Sequence, residues 1–487
     1  MFEKYKKVYK ADYEKWYKEN EAYRQRVAAD QDRLKFHLMP KTGWLNDPNG
    51  LCQFNGTYHI YYQYTPFEPT GELKTWGHYT TKDFIHYEDF GPVVFPDEDI
   101  DAHGVYSGSA FIEDDTIHYF YTGNLKYFDR DDYDYINNGR GSNTITFTSK
   151  DGYEFTKKEL LMTTDDYRAD MSNHVRDPKI FKKNEKYYMV LGARDVEGVG
   201  MILLYESTDL KNWTYKNRIT TPQKFGYMWE CPDYFEVDGT KILSASVQGL
   251  EGGVWDDRNV YQSGYFMVDG NILDDYKLSE YMLWDYGFDF YAPQSFEDES
   301  GRRILIGWMG IPDADYTNPT EEAGWQHALT IPRELSVRDG KLIQEPIEEL
   351  KQLRSEDKAV CTFCYGQTII MQNAIYEAVV DFKRCREMVM TLREGITLSY
   401  KDNILTLNLG VYGSGRSTRK VRLEKLEHLQ IFADTSSLEI FVNHGEEVFT
   451  TRIYNHYGRL LINGECSGIM TVYPLKSFEI EGGRHEE

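Results

Sequence analysis

The chain has 487 residues, 41% of them hydrophobic and 28% charged, which is enough for two domains with sizeable cores. Its formal net charge of −24 argues against nucleic acid or an anionic membrane as a partner. No run approaches the 18 apolar residues of a membrane span, and the first twenty residues lack the apolar stretch of a secretory signal, so a cytoplasmic compartment is the expectation.

Residues 1–33 are predicted to form a short N-terminal helical extension. Phe2, Tyr5, Tyr9, Tyr13, Trp16 and Tyr17 recur at spacings of about three and four, with Lys and Glu between them. An internal repeat follows. Segments beginning at 47, 107, 177, 231 and 292 share one grammar: a proline or small residue, an apolar strand, a polar turn and a second apolar strand. Asn55-Gly56 and Asp238-Gly239 are hairpin signals within it. The stretches 80–89, 148–157 and 206–215 add a further strand, each after a Ser/Thr-x-Asp turn. Units of about 60 residues with three or four antiparallel strands match propeller blades. The fold class is therefore all-β: a five-bladed β-propeller over 34–335, a linker over 336–354 and a C-terminal β-sandwich over 355–487. In the last region apolar and polar residues alternate without the blade repeat.

Three acidic motifs open three of the repeats: Trp44-Leu45-Asn46-Asp47-Pro48, Arg176-Asp177-Pro178 and Glu230-Cys231-Pro232. A single Asp-Pro at a strand start is a common turn device. Three acidic motifs in repeat register, with Trp and Arg adjacent, place three carboxylates at one end of the central channel. The register equates Asp47, Ser107, Asp177, Glu230 and Ala292. Paired carboxylates suit glycosidic bond cleavage, which needs a general acid and a nucleophile or base. Tyr227, Met228 and Trp229 give Glu230 an apolar setting that favours its protonated form, whereas Arg176 favours an ionised Asp177 and a polar turn an ionised Asp47.

The same motifs resemble those of glycoside hydrolase family 32, the invertase/β-fructofuranosidase family, and the resemblance spans nearly the whole chain. It implies Asp47 as nucleophile, Asp177 as transition-state stabiliser and Glu230 as acid/base. The stretches 62–67, 76–81 and 106–110 also look like family motifs and imply Gln63, Trp76, Tyr106 and Ser107 as fructose contacts, beside Trp44, Asn46 and Arg176 of the acidic motifs. The match continues through Asp289 and Trp308 and into the sandwich at 434–446. It implies retaining hydrolysis of the β-fructofuranosyl bond of sucrose or sucrose 6-phosphate, a small-molecule sugar substrate and no cofactor.

Fructan or fructo-oligosaccharide hydrolysis, or fructosyl transfer, is the alternative, to be decided by rim loops such as 124–143 and 250–262. A non-enzymatic sugar-binding protein would have lost at least one carboxylate, and all three are present. No metal site is expected. The Cys361-x-x-Cys364 pair has no second ligand motif and reads as buried free thiols, and the acidic run 129–134 lacks the glycine and terminal glutamate of a calcium loop. No phosphate pocket is marked in the sequence; Lys41 and Arg140 are cations to test for one, and surface charge is the first reading of each. Oligomeric state is left open.

Overall fold

The computed structural model describes residues 7–251, 259–366, 368–371 and 374–483. Five antiparallel sheets follow one another along the chain as blades. Their innermost strands are Gly43–Phe54, Val105–Glu113, Met171–Lys183, Met228–Val237 and Tyr291–Glu297. The first blade closes the ring. Its inner strand pairs in parallel with Trp325–Gln326, a segment that follows the fifth inner strand, and its outer strand His86–Val94 pairs in parallel with Glu479–Gly482. The chain thereby buries two edges that would otherwise be open to other strands.

The blade hairpins turn where the sequence places them. Asn55-Gly56 and Asp238-Gly239 both have positive φ at the two central residues, as a two-residue type I′ turn requires. Asp339-Gly340 does the same, joining Arg333–Arg338 to Lys341–Pro346. This hairpin is the outer part of the fifth blade, so that blade runs to Pro346, past 335; a 3₁₀ turn over Glu348–Leu353 follows. The Ser/Thr-x-Asp segments are the turns between third and fourth strands. Thr81, Ser149 and Ser207 accept the N–H of the residue three on, and Asp83, Asp151 and Asp209 cap the next two N–H groups. The capped third residues, Phe84, Gly152 and Leu210, are all left-handed.

The N-terminal extension is two helices, Lys10–Glu19 and Glu21–Ala28, broken at Asn20, whose backbone and side-chain N–H groups both turn back to the Trp16 carbonyl. Phe2 and Tyr5 lie outside the described residues. Tyr13 and Trp16 meet Phe67 at ring distances of 6.4 and 5.3 Å, and Val27 is buried with Trp325, so the stripe seats on the first and last blades. The sandwich faces two six-stranded sheets around one apolar core. Cys361 and Cys364 share the edge strand Ala359–Cys364 and are half-buried and exposed rather than buried: Cys364 lies on the outward face with Val360 and Thr362, and Cys361 on the inner face with Phe363.

Buried charge joins the two domains. Arg333 of the fifth blade, fully enclosed, donates to Asp285, to Glu439 and to Thr450, the last two from the sandwich. His37 bridges Asp434 and Glu439 at 2.8 and 3.0 Å. Burial opposes charge on His37, yet those two carboxylates lift its pKa to about 8. Gly287 lies so near the Thr450 carbonyl that a Cβ there would stand 1.9 Å from its oxygen.

His37 gains its proton affinity on folding, so its contribution is complete below about pH 6.5 and is lost as pH rises through 8. His37→Ala is expected to cost about 3–5 kcal/mol at pH 6.5, the cost of stranding buried carboxylates. Urea unfolding should show the deficit shrinking by pH 9; an undiminished deficit would contradict the linkage.

Candidate active site

All five inner strands carry the same irregularity. Opposite the second strand, two residues face one: Asn46-Asp47 against Gln63, Tyr106-Ser107 against Thr122, Asp177-Pro178 against Leu191, Cys231-Pro232 against Ala245 and Ala292-Pro293 against Gly307. These are β-bulges, which bend a strand and re-aim its side chains. Asp177, Cys231 and Ala292 adopt left-handed φ of 65°, 47° and 47°. The true register equates Asp177 with Cys231 and Ala292, while Glu230 stands one residue earlier, level with Arg176 and Tyr291, and Asp47 is the second bulge residue. The simple repeat alignment is therefore offset by one at two of its carboxylates, because the extra residue rotates neighbouring positions toward the same axis.

The carboxylates gather around a cavity of about 390 Å³. Cys231 Sγ lies 3.5 Å from an Asp47 oxygen and 3.7 Å from an Asp177 oxygen, fixing their proximity. Asp47 accepts from Asn46 Nδ2 at 3.0 Å and from the Ser107 hydroxyl. Trp44 Nε1 donates to Asn46 Oδ1, and the same Asn46 amide donates to Gln63, so one chain of hydrogen bonds orients this carboxylate. Burial nonetheless raises its pKa above the ordinary range.

Glu230 sits in a polar setting, contrary to the apolar one its sequence neighbours suggest. Arg176 donates to Oε1 through Nε and Nη2 at 3.1 and 2.6 Å, and Gln248 and Tyr291 donate to Oε2 at 2.8 and 2.7 Å. Trp229 points away into the fourth-blade core, as strand alternation demands. Arg176 thus reaches across to the fourth blade. Asp177, fully buried, keeps the Cys231 N–H as donor at 2.9 Å, and burial raises its pKa to about 7 in spite of Arg176. The elevated carboxyl next to Arg176 is a reversal of the sequence expectation.

Trp44, Asn46, Gln63, Tyr106, Ser107, Arg176 and Trp308 line the cavity with the three carboxylates. Trp76 and Asp289 do not. Trp76 is fully buried in the core between blades one and two and supports the site from behind, donating to the Tyr106 carbonyl. Asp289 is clamped by Arg416 of the sandwich at 2.6 and 2.7 Å and accepts the Arg452 N–H. Sequence reasoning missed Lys74, Arg194, Gln248 and Tyr291, all in the wall. The repeat register could have found Tyr291, which occupies the position of Glu230 one blade later; no local pattern marks the others. Burial lowers the Lys74 pKa to about 7 against the pull of Asp47.

Lys41 pairs with Asp89 and is not part of the wall, whereas Arg140 is. The acidic run holds itself: Asp132 pairs with Arg130, and Asp134 accepts the Ile136 and Asn137 N–H groups, turning Tyr135 and Ile136 toward the cavity. Among the described residues no cluster of three metal-ligating side chains forms. Of the rim loop 250–262, residues 252–258 lie outside the described residues; Tyr261 reaches the wall.

Comparison with known proteins gives this arrangement a lineage. Residues 37–346 match the glycosyl hydrolases family 32 N-terminal domain, and 366–472 match the family's C-terminal domain. The chain is 36% identical over 479 residues to the sucrose-6-phosphate hydrolase of Staphylococcus xylosus, covering 94% of each. It is also 36% identical to the Bacillus subtilis enzyme of that name, covering 90% of this chain and 92% of the relative. Among solved structures it is similar to sucrose-6-phosphate hydrolase from Lactobacillus gasseri, with a TM-score of 0.86, 28% identity, and coverage of 98% of this chain and 99% of that one. A β-fructofuranosidase from Bombyx mori superposes with a TM-score of 0.80 at 28% identity, covering 96% of this chain and 100% of that one. With both domain models matched over most of its length, the chain belongs to glycosyl hydrolase family 32.

Proposed function

We propose that this protein hydrolyses the β-fructofuranosyl bond of sucrose or sucrose 6-phosphate with net retention, using Asp47 as nucleophile, Glu230 as acid/base and Asp177 as stabiliser. The observation that carries the reading is the convergence of these three carboxylates, from three blades, on one cavity whose wall is otherwise polar and aromatic. The relatives named sucrose-6-phosphate hydrolase, and the Bombyx mori β-fructofuranosidase of which a variant has been solved in complex with sucrose, support the substrate class.

In the first step an Asp47 oxygen attacks the anomeric C2 while Glu230 gives its proton to the departing glucosyl oxygen. Water, deprotonated by Glu230, then opens the fructosyl ester and returns Asp47. The Ser107 and Asn46 donors hold the attacking carboxylate in place. Gln248 and Tyr291 fix the Glu230 carboxyl from one side and Arg176 from the other, so the proton is delivered along one direction. Asp177, held by the Cys231 N–H, serves the positive charge that develops at the anomeric carbon.

Asp47→Asn is expected to reduce kcat by about four orders of magnitude or more with unchanged circular dichroism; activity within a hundredfold of wild type would remove Asp47 from the nucleophile role. Glu230→Gln should impair sucrose far more than fructosyl fluoride, whose leaving group needs little protonation, and equal losses would exclude acid catalysis. Asp177 separates chemistry from stability. Its raised pKa means that the protonated form stabilises the fold, fully below about 3.9 and progressively less as pH rises through 7. At pH 8 Asp177→Asn should lower kcat by about 10²–10³ while raising the thermal midpoint by roughly 1–3 °C. A lowered midpoint at pH 8 would overturn the assignment of a strained, buried charge.

A further inference from the structure

Four cations line the cavity, and among the described residues Arg176 alone of the four has a carboxylate partner within ion-pair distance. Lys74 lies over the Trp44 ring beside Asp47, and Arg176 is committed to Glu230. Arg140 is different. It is 3% exposed, yet its contacts are all neutral: Asn124 Oδ1 at 2.8 Å, the Tyr135 hydroxyl at 3.2 Å, His174 Nδ1 at 3.5 Å and the ring of Tyr106. Arg194 lies over the Tyr227 ring. Neither Nε meets an acceptor among the described residues. A buried guanidinium with neutral neighbours is costly unless an anion completes it, and a planar fork of N–H donors matches phosphate oxygens.

His174 keeps this cluster cationic on one side only. Its Nδ1 faces Nη1 of Arg176 at 2.8 Å and of Arg140 at 3.5 Å, while Nε2 faces the Tyr135 carbonyl. The tautomer that satisfies all three donates from Nε2 and accepts at Nδ1. Burial, then the two arginines, pushes the imidazole down to about 2, so it spaces the guanidinium groups without adding charge. The line Arg140–His174–Arg176–Glu230 links Arg140 to the acid carboxyl, while among the described residues no hydrogen bond joins it to the Asn46, Gln63 and Ser107 network around Asp47. In a retaining fructosidase the acid carboxyl marks the leaving-group side. Asp134, whose carboxylate feels the Arg194 charge, is exposed and occupied by Asn137 and its own turn.

We propose that Arg140 and Arg194 cradle the phosphate of a 6-phosphorylated leaving sugar, and that this cradle selects sucrose 6-phosphate over sucrose. The proposal rests on the fructosidase reading above and names its substrate. Arg140 and Arg194 are here binding groups; neither touches the reacting bond.

The test compares kcat/KM for sucrose 6-phosphate and sucrose, and inhibition by glucose 6-phosphate and glucose, in wild type, Arg140→Gln, Arg140→Lys and Arg194→Gln. Wild type should favour the phosphorylated sugar at least tenfold. Each Gln variant should lower that ratio at least tenfold, chiefly through KM, and weaken glucose 6-phosphate inhibition by a similar factor more than glucose inhibition; Arg140→Lys should recover part of it. A wild-type ratio near one, or equal losses on both substrates, overturns the cradle and leaves the fructosidase reading standing. Failure of wild type to turn over either sugar overturns the reading instead. The cradle is then judged by calorimetric binding of glucose 6-phosphate: loss in Arg194→Gln supports it and retention overturns it. Arg194, less buried than Arg140, keeps the test available if Arg140→Gln does not fold.

Discussion

One backbone constraint organises the molecule: five strands must converge on a common axis, and each does so through a two-against-one bulge. A regular strand would send alternate residues to opposite faces. The extra residue breaks that alternation, so that the position before the bulge and both residues within it can address the same space. Glu230, Asp177 and Asp47 occupy those three positions in three different blades. Left-handed backbone at Asp177 is the local cost, and the Thr122 hydroxyl accepting the Asp177 N–H helps to hold it. Close packing between blades leaves little freedom to relax: a Cβ on Gly192 would stand 2.3 Å from the Trp229 carbonyl oxygen.

Charges follow from that geometry rather than from sequence neighbours. Arg176 precedes Asp177 in the chain but serves Glu230, because the pre-bulge positions of blades three, four and five are level and Arg176, Glu230 and Tyr291 meet side by side. Asp177 is left with backbone donation and burial, which raises its pKa. The sandwich reaches the same machinery indirectly. Residues 285–289 dock on the sandwich strand Glu447–Arg452, through Asp285 to Thr450 and Asp289 to the Arg452 N–H, immediately before the strand that carries Tyr291. The second domain thereby sets the position of Tyr291, a hydrogen-bond donor to the Glu230 carboxyl.

Blade number and hairpin turns were legible because Asn-Gly and Asp-Gly dictate positive φ locally, whatever surrounds them. The carboxylates were legible because each marks its own bulge with a proline next to it or one residue on. Environment was not. Strand alternation puts Trp229 in the core and Glu230 in the cavity, so the apolar neighbours that suggested a desolvated acid face the other way. Trp76 and Asp289 belong to family-like motifs, yet both are buried behind the wall, where motif matching cannot tell support from contact. Asp339-Gly340 carries the same hairpin signal as Asp238-Gly239, and its low contrast against the polar stretch around it hid the outer edge of the fifth blade.

Ring closure has a consequence for biosynthesis. The first blade to leave the ribosome lacks its two flanking strands until much later: Trp325–Gln326 must be made before its inner edge is paired, and Glu479–Gly482 before its outer edge is. Between those events the hairpins of residues 43–94 present open β-edges to other nascent chains. The helix over Lys10–Glu19, which emerges ahead of that blade and lays Tyr13 and Trp16 against Phe67, is positioned to cover apolar surface there during the wait, whereas Glu21–Ala28 docks only once Gly324 and Trp325 are made. Vectorial synthesis thus makes the N-terminal extension a companion of the half-built ring as well as a fixture of the finished one.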